Sequence, residues 1–221
     1  MATRTWSAKL WRVTKYGALA VVIVVALLIA LGTYMVKKRE AAARDSPFIQ
    51  SLDHAERVHG DVLGLLINNL LSVSAEDGDL VVNWLSTRLD RGDQPYLYLI
   101  GLYSGRANDG SPRMRRGLDY IASGMLVYRV DAFMCADPTA TQAIPILEGA
   151  MGLAPIRKAL ETNSTMRNEV IAAALEYEEK HSKRERPEWV CAHGLRGGSP
   201  PSLEATQQHR QTTRDEFKSK F

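Results

Sequence analysis

The sequence feature that most constrains this chain is an uncharged apolar stretch near its N-terminus. It runs from Tyr16 to Val36, 21 residues without a charged side chain, and it is bounded by Lys15 and Lys37. As a helix, a segment of this length extends about 31 Å, close to the roughly 30 Å of a bilayer's hydrocarbon core. Backbone groups in lipid must be hydrogen-bonded within the segment, which requires a helix. The stretch therefore predicts a single transmembrane helix.

Two other kinds of N-terminal segment share part of this pattern. A cleaved secretory signal also has a basic start, but its apolar core is about 7–15 residues long, whereas this stretch has 21. A mitochondrial presequence is compatible as well, because residues 1–39 contain basic residues and no acidic residue. We expect an uncleaved anchor in a bacterial inner membrane, and the mitochondrial inner membrane is the alternative.

Basic residues on the two sides of the stretch indicate its orientation. Four precede it and four follow it, and the second group is interleaved with Glu40 and Asp45. The positive-inside rule is therefore close to a tie that leans toward a cytoplasmic N-terminus. We expect residues 1–15 to form a short cytoplasmic tail and the rest of the chain after the span to be exported, into the periplasm in a bacterium.

The remaining sequence divides into three parts by composition. We predict a juxtamembrane helix or linker over 37–46, an all-α domain over 47–193 and a flexible polar tail over 194–221. From Ser46 onward the chain has 20 basic and 23 acidic residues, a net charge of −3. This balance argues against nucleic acid as a partner. We expect the partners to be the bilayer and other membrane or exported proteins.

Helix-start signals and apolar periodicity support the all-α prediction. A Ser or Asp directly before Pro is typical of a helix N-terminus, and this pair occurs at Ser46-Pro47, Ser111-Pro112 and Asp137-Pro138. The spacing of apolar residues predicts helices over 47–73, 80–90, 96–106, 111–136, 138–151, 154–162 and 163–179. Only 96–100 has a composition that also suits a short strand. No repeat of fixed period is present, and the sequence indicates no family.

Three finer predictions concern these helices. Gly117 and Gly124 lie inside the helix that begins at Pro112, where glycine is unfavourable unless another helix approaches closely. The acids Glu176, Glu178 and Glu179 are expected to face water. Residues 202–221 have few apolar side chains, so we expect a frayed helix or disorder there.

The two cysteines, Cys135 and Cys191, have two interpretations that depend on the compartment. In an exported domain they can form a disulfide that stabilises the fold by roughly 4 kcal/mol through loop entropy. In the cytoplasm they are more typical of buried thiols. A zinc site that adds His193 and His181 is less favoured, because zinc motifs usually contain two closely spaced ligand pairs. We expect no metal and no cofactor.

A cluster of arginines marks one candidate site. Arg113, Arg115 and Arg116 lie in the first turns of the helix that begins at Pro112, where free N–H groups also favour an anion. A phosphate or carboxylate is the functional hypothesis for this cluster. The alternative is ion pairing with Asp109, Asp119 or a neighbouring helix.

The segment from Tyr128 to Asp137 is the second candidate. It places Arg129 and Asp131 on an otherwise apolar helix, and we expect part of it to face the interior. This pattern suggests a polar pocket between helices.

Two hypotheses for function follow. The first is a single-pass membrane-anchored interaction protein, either a scaffold or an accessory subunit, with an exported helical domain. The alternative is a membrane-bound enzyme or ligand receptor that uses a polar pocket between helices, near the segment from Tyr128 to Asp137. No Gly-rich phosphate loop, nucleophile elbow or zinc-protease motif occurs in the sequence, so an enzyme is the less favoured of the two and the question stays open.

Overall fold

The computed structural model describes residues 4–59, 62–89, 95–105, 112–182, 188–194 and 198–220; within these ranges it leaves undescribed the side chains of 4–20, 22, 39, 40, 44, 59, 188 and 220. All regular secondary structure in these ranges is helical. This confirms the all-α prediction, including a helix rather than a strand over 96–100. The chain forms two compact units, Met1–Gln50 and Ser51–Phe221.

The first unit consists mainly of one long helix, α1 (Arg4–Asp45). It runs without a break from Arg4 in the predicted tail, through the apolar stretch, to Asp45 in the predicted juxtamembrane segment. Over the part of the chain that the structure describes, no helix combines the length and the apolar character needed to cross a membrane. Tyr16, the first residue of the predicted span, has its side chain outside that part, and Val36 is described and exposed.

The second helix begins where the sequence predicts. Helix α2 (Pro47–His59) starts after Ser46, whose Oγ accepts a hydrogen bond from the N–H of Ile49 at 3.3 Å. The predicted continuation to residue 73 is wrong, because α2 ends at His59 and a separate helix follows. Gly60, which directly follows α2 in the sequence, is a poor helix former, and this is the local reason for a break here.

The second unit contains nine further α-helices and one 3₁₀ helix among the described residues. The α-helices are α3 (Leu63–Asn69), α4 (Ala75–Ser86), α5 (Tyr96–Gly105), α6 (Pro112–Phe133), α7 (Ala143–Ala150), α8 (Ala154–Thr162), α9 (Ser164–Lys180), α10 (Glu188–Cys191) and α11 (Leu203–Lys220), and the 3₁₀ helix is Pro138–Gln142. Asp137 and Asn163 cap the helices that follow them, as the sequence predicts. Ser111, the third predicted cap, lies outside the described residues.

Helix α6 is the centre of this unit. It contacts α5, α7, α9, α10 and α11. The glycine prediction is confirmed, since a Cβ at Gly117 would lie 2.7 Å from the carbonyl oxygen of Gly101 on α5, and one at Gly124 would lie 2.8 Å from the ring of Tyr98. Backbone contact between α5 and α6 therefore requires glycine at this crossing.

The C-terminal segment differs from the expectation of a frayed helix or disorder. Residues 203–220 form α11, an 18-residue helix that packs on α6 and α9. The expected exposure of Glu178 is also wrong, because its side chain is 0% exposed and binds two arginines of α11. A buried carboxylate needs such partners, and it gives a polar helix a reason to dock.

Candidate functional site

A polar cavity of about 510 Å³ lies between α6 and α9. The α6 residues that line the cavity recur at intervals of three or four positions in the sequence, and so do those of α9. Each helix therefore presents one face to the cavity. The lining consists of Arg116, Asp119, Tyr120 and Ser123 from α6, Ala173, Glu176, Tyr177 and Lys180 from α9, and Ser86, Leu89 and His181. We call this cavity the α6–α9 groove.

Charges of both signs line the α6–α9 groove. Arg116 and Lys180 contribute positive charge, and Asp119 and Glu176 contribute negative charge. Burial raises the pKa of Asp119, although the neighbouring Arg115, with its Nε 3.4 Å from Asp119 Oδ1, acts in the opposite direction. A cavity with both signs suits a small molecule that carries both an amine and an acid group.

The hydroxyl and imidazole groups of the groove are held by their own helices. Ser123 Oγ donates a 2.7 Å hydrogen bond to the carbonyl oxygen of Asp119. The ring of His181 stacks on Tyr177 at 4.0 Å, and its Nδ1 lies 2.7 Å from the Tyr177 carbonyl oxygen. These contacts orient the side chains for binding, and they do not form a nucleophile–base pair of the kind that covalent catalysis needs.

A second cavity, of about 280 Å³, is apolar. It is lined by Leu70, Leu71, Gly101, Leu102, Gly105, Met114, Gly117, Leu118, Ile121 and Ile156. Leu71 at its edge is 91% exposed. We call this cavity and its edge the apolar groove. An exposed leucine beside a concave apolar surface offers apolar area that a bound molecule can bury.

The predicted arginine cluster is divided among different partners. Arg113 pairs with Asp79 on α4 at 2.6 Å, and Arg115 pairs with Asp119 and with Glu169 on α9. These two arginines therefore lie in ion pairs with neighbouring helices, and only Arg116 lines the α6–α9 groove. Asp109, the other carboxylate considered from the sequence, lies outside the described residues.

The predicted polar segment around Arg129 lies largely against other helices, although the Arg129 side chain is 38% exposed. Tyr128 accepts a 2.8 Å hydrogen bond from the N–H of Leu97, Asp131 is 3% exposed and Asp137 caps the 3₁₀ helix. Neither of the two cavities described above is lined by Arg129 or Asp131. These two cavities thus lie away from the segment where the sequence suggested a pocket.

Arg129 takes part in a cluster that the sequence did not reveal. Its Nη2 lies 2.8 Å from Oε1 of Glu148, a residue only 5% exposed that also accepts a 2.8 Å hydrogen bond from Tyr98 and pairs with Arg157. Burial, followed by the negative charge of Glu148, raises the pKa of Tyr98. Four side chains from four parts of the chain are joined here, and only their spatial meeting identifies them.

Cys135 and Cys191 are joined by a disulfide, with their Cα atoms 5.1 Å apart. It links the turn after α6 to the last residue of α10. The sulfur atoms are therefore not available as thiolate ligands for zinc. Within the described ranges, no three His, Cys, Asp or Glu side chains come together in a way that could hold a metal ion.

No protein-family model, no curated protein and no solved structure matches this chain.

Proposed function

We propose that this chain is a single-pass membrane-anchored interaction protein whose exported helical domain binds a partner at the membrane. The observation that carries the proposal is the uncharged stretch from Tyr16 to Val36 within the continuous helix α1. Its described apolar side chains are exposed, from 47% at Met35 to 64% at Leu28. A helix that is apolar on all sides suits lipid better than water.

The disulfide supports an exported location for the second unit. Disulfides persist in oxidising compartments such as the periplasm and are rare in the cytoplasm. The bond between Cys135 and Cys191 fits the orientation with a cytoplasmic N-terminus. A bacterial inner membrane is the location we favour, and the mitochondrial inner membrane also has an oxidising compartment on one side.

The apolar groove supports the interaction part of the proposal. Leu71 is 91% exposed and lies at the edge of a concave apolar surface. Burying one leucine side chain on binding contributes about 1.5–3 kcal/mol. A partner with an apolar side chain that fits the groove gains this energy, so the groove is a candidate docking surface for a scaffold or accessory subunit.

Cysteine labelling in intact cells tests the topology. We expect a membrane-impermeant maleimide to label the protein only after reduction, because the cysteines are exported and bridged. Labelling that needs cell lysis but no reduction would place the domain in the cytoplasm and contradict the proposal. The double variant Cys135→Ser, Cys191→Ser is the control for background labelling.

A charge in the apolar stretch tests the anchor. Val25→Arg places a guanidinium near the middle of the proposed span, where it costs about 2.5–3.5 kcal/mol for insertion, and we expect a larger alkaline-extractable fraction. Ala41→Arg, outside the span on the same helix, is the matched control and should remain membrane-bound. Equal extraction of the two variants would contradict the proposed membrane anchor.

Cross-linking tests the docking surface. Leu71→Glu should reduce cross-linking to partners because it places a charge in the apolar groove, whereas Leu203→Glu, also exposed but on α11, should not. Equal cross-linking by both variants would show that the groove is not the docking surface.

The α6–α9 groove favours a second candidate function, a membrane-bound receptor for a small molecule. Its mixed charges suit amino acids and related compounds that carry both an amine and a carboxylate. A thermal-shift screen with such compounds tests this candidate. Arg116→Ala and Glu176→Ala should abolish any shift, and Lys158→Ala, exposed on α8 and outside the groove lining, should leave it unchanged.

A further inference from the structure

Helix α11 is docked by a small number of polar contacts. Among those of its side chains that the structure describes, only Thr213 and Phe217 are buried, and Leu203, its first residue, is 75% exposed. Apolar burial alone therefore gives this helix little reason to bind. Its contacts with α9 come instead from Arg210 and Arg214, which lie four residues apart on one face of α11.

Both arginines bind the same buried carboxylate. Arg210 donates to the two oxygens of Glu178, from Nε at 2.7 Å and from Nη2 at 3.0 Å, and Arg214 donates to Glu178 Oε2. Arg210 also contacts Glu179 at 2.8 Å, and Arg214 donates to the carbonyl oxygen of Leu175 at 3.4 Å. Bidentate arginine–carboxylate pairs are strong and geometrically selective.

One aromatic contact completes this surface. The ring of His209 stacks on Phe133, at the end of α6, with centroids 3.8 Å apart and an interplanar angle of 13°. We call the surface formed by Phe133, Leu175, Glu178 and Glu179 the acidic docking site. It selects a helix that carries two arginines one turn apart and a flat ring beside them.

The covalent structure lets α11 leave this site without unfolding the rest. The disulfide ties the chain to α6 as far as Cys191, and a Cβ at Gly194 would meet the side chain of Asp137, so the chain is still closely packed there. Gly198 packs equally closely on the carbonyl oxygen of Ala136. Beyond it, Ser199 to Ser202 are irregular and lead into α11.

We propose that the acidic docking site is an exchangeable helix-binding surface, occupied by α11 in the isolated protein and by an arginine-bearing helix of a partner protein in the complex. Glu178 carries the specificity. Because a buried carboxylate that loses its arginines is strongly unfavourable, a helix that supplies equivalent cations favours the release of α11. This inference rests on the proposed interaction function, and it names the chemistry of the partner.

Peptide exchange on the full chain in detergent tests the proposal. The probe is a fluorescent synthetic peptide with the sequence of residues 202–220, and binding is measured by anisotropy. We expect weak binding to the unmodified chain, whose own α11 competes. The chain variant Arg210→Ala, Arg214→Ala should bind the peptide at least about tenfold more tightly, because a larger fraction of molecules has an open site.

Two matched controls isolate the ion pairs. A peptide lacking Arg210 and Arg214 should not bind, and a peptide with Lys218→Ala should bind normally, because Lys218 pairs with Asp215 on α11 itself. Adding Glu178→Gln to the chain variant should abolish binding. Binding that does not depend on the two arginines or on Glu178 would overturn the proposal.

Hydrogen exchange on the unmodified chain provides an independent test if the variants fold poorly. Exchange through local release should make the α11 amides exchange at least about tenfold faster than those of α6. Equal rates in α6 and α11 would show that α11 leaves only on global unfolding, and would also overturn the proposal. Neither measurement depends on membrane orientation. If partner cross-linking persists while both the peptide and the hydrogen-exchange tests fail, the exchangeable-helix proposal is wrong and the proposed interaction function still stands.

Discussion

Helices α5 and α11 both pack on α6, but different interactions hold them there. In α5 the residues from Tyr96 to Ile100 are all buried, none carries a charge, and the helix touches the α6 backbone at Gly101. Among the described side chains of α11 only Thr213 and Phe217 are buried, and Arg210 and Arg214 form ion pairs with Glu178. Helix α5 is held by buried apolar area, and α11 is held by the contacts of a few polar atoms.

This difference has consequences for how the two helices respond to change. Apolar burial is non-directional and proportional to area, so α5 can leave α6 only when many contacts are lost together. Ion pairs depend on geometry and on protonation, and a single acid can control them. We therefore expect α5 to unfold with the whole domain and α11 to open separately.

The largest expected effect tests whether the disulfide holds the segment that ends at Cys191. Cys135→Ser with Cys191→Ser removes the cross-link over a sequence separation of 56. The chain-entropy model predicts a loss of about 4 kcal/mol in the free energy of unfolding, measurable by urea denaturation under oxidising conditions. Reduced unmodified protein should behave like the variant. A loss below about 1 kcal/mol would show that the segment ending at Cys191 is held by packing alone.

The next prediction concerns the crossing of α5 and α6. Gly101→Ala would place a Cβ 2.6 Å from the carbonyl oxygen of Gly117, so the helices must separate. We expect a loss of about 3 kcal/mol in unfolding free energy. Gly105→Ala, one turn along the same helix, has open space around its Cβ and should change stability by about 1 kcal/mol or less. Equal effects would mean that the crossing is not tightly packed.

The same comparison explains which helices the sequence could predict. Helix α5 was predicted from the sequence, although the composition of its first five residues also suits a short strand, and the need for glycine at its crossing with α6 is visible in Gly117 itself. The docking of α11 depends on Glu178 and Arg210, which are 32 residues apart, and charged residues are ordinarily assigned to solvent. A signal was nevertheless present, because Glu178 continues the stripe of Val170 and Ala174, both buried.

The candidate site was predictable on one side only. Arg116 was identified from the sequence, but its cavity is completed by Glu176 and Tyr177, which come from a helix more than 50 residues later in the chain. The position of such a cavity depends on how α6 and α9 cross. Periodicity identifies the faces of a helix, but it does not say which faces of two helices meet.

A smaller effect on global stability is expected within α11. Phe217 is 6% exposed, and replacing a buried phenylalanine in a core by alanine usually costs about 3–5 kcal/mol. If α11 opens separately, Phe217→Ala should lower the global unfolding free energy by about 1 kcal/mol or less while speeding exchange of the α11 amides. A full core-sized loss in urea denaturation would mean that α11 belongs to the same cooperative unit as α5.

Acid should open α11 in two stages, and this is the smallest of the expected effects. Burial lowers the pKa of His209, whereas a hydrogen bond to the backbone of Arg129 and the charge of Glu216 act in the opposite direction. The contribution of His209 to docking is therefore complete above pH 6.5 and is lost as pH falls below that value. Burial would raise the pKa of Glu178, but Arg210 and Arg214 reverse the effect and lower it.

The Glu178 contribution is therefore lost only as pH falls below 4.5. Exchange of the α11 amides, corrected for the intrinsic effect of pH, should rise at the first stage, because burial disfavours the protonated imidazole of His209. The variant His209→Gln should lose the first stage and keep the second. Amides of α5 should show neither stage, since the titratable side chains of this helix are buried tyrosines, and burial raises the pKa of Tyr98 further from this range. Parallel acid responses of α5 and α11 would show that one cooperative unit holds both helices.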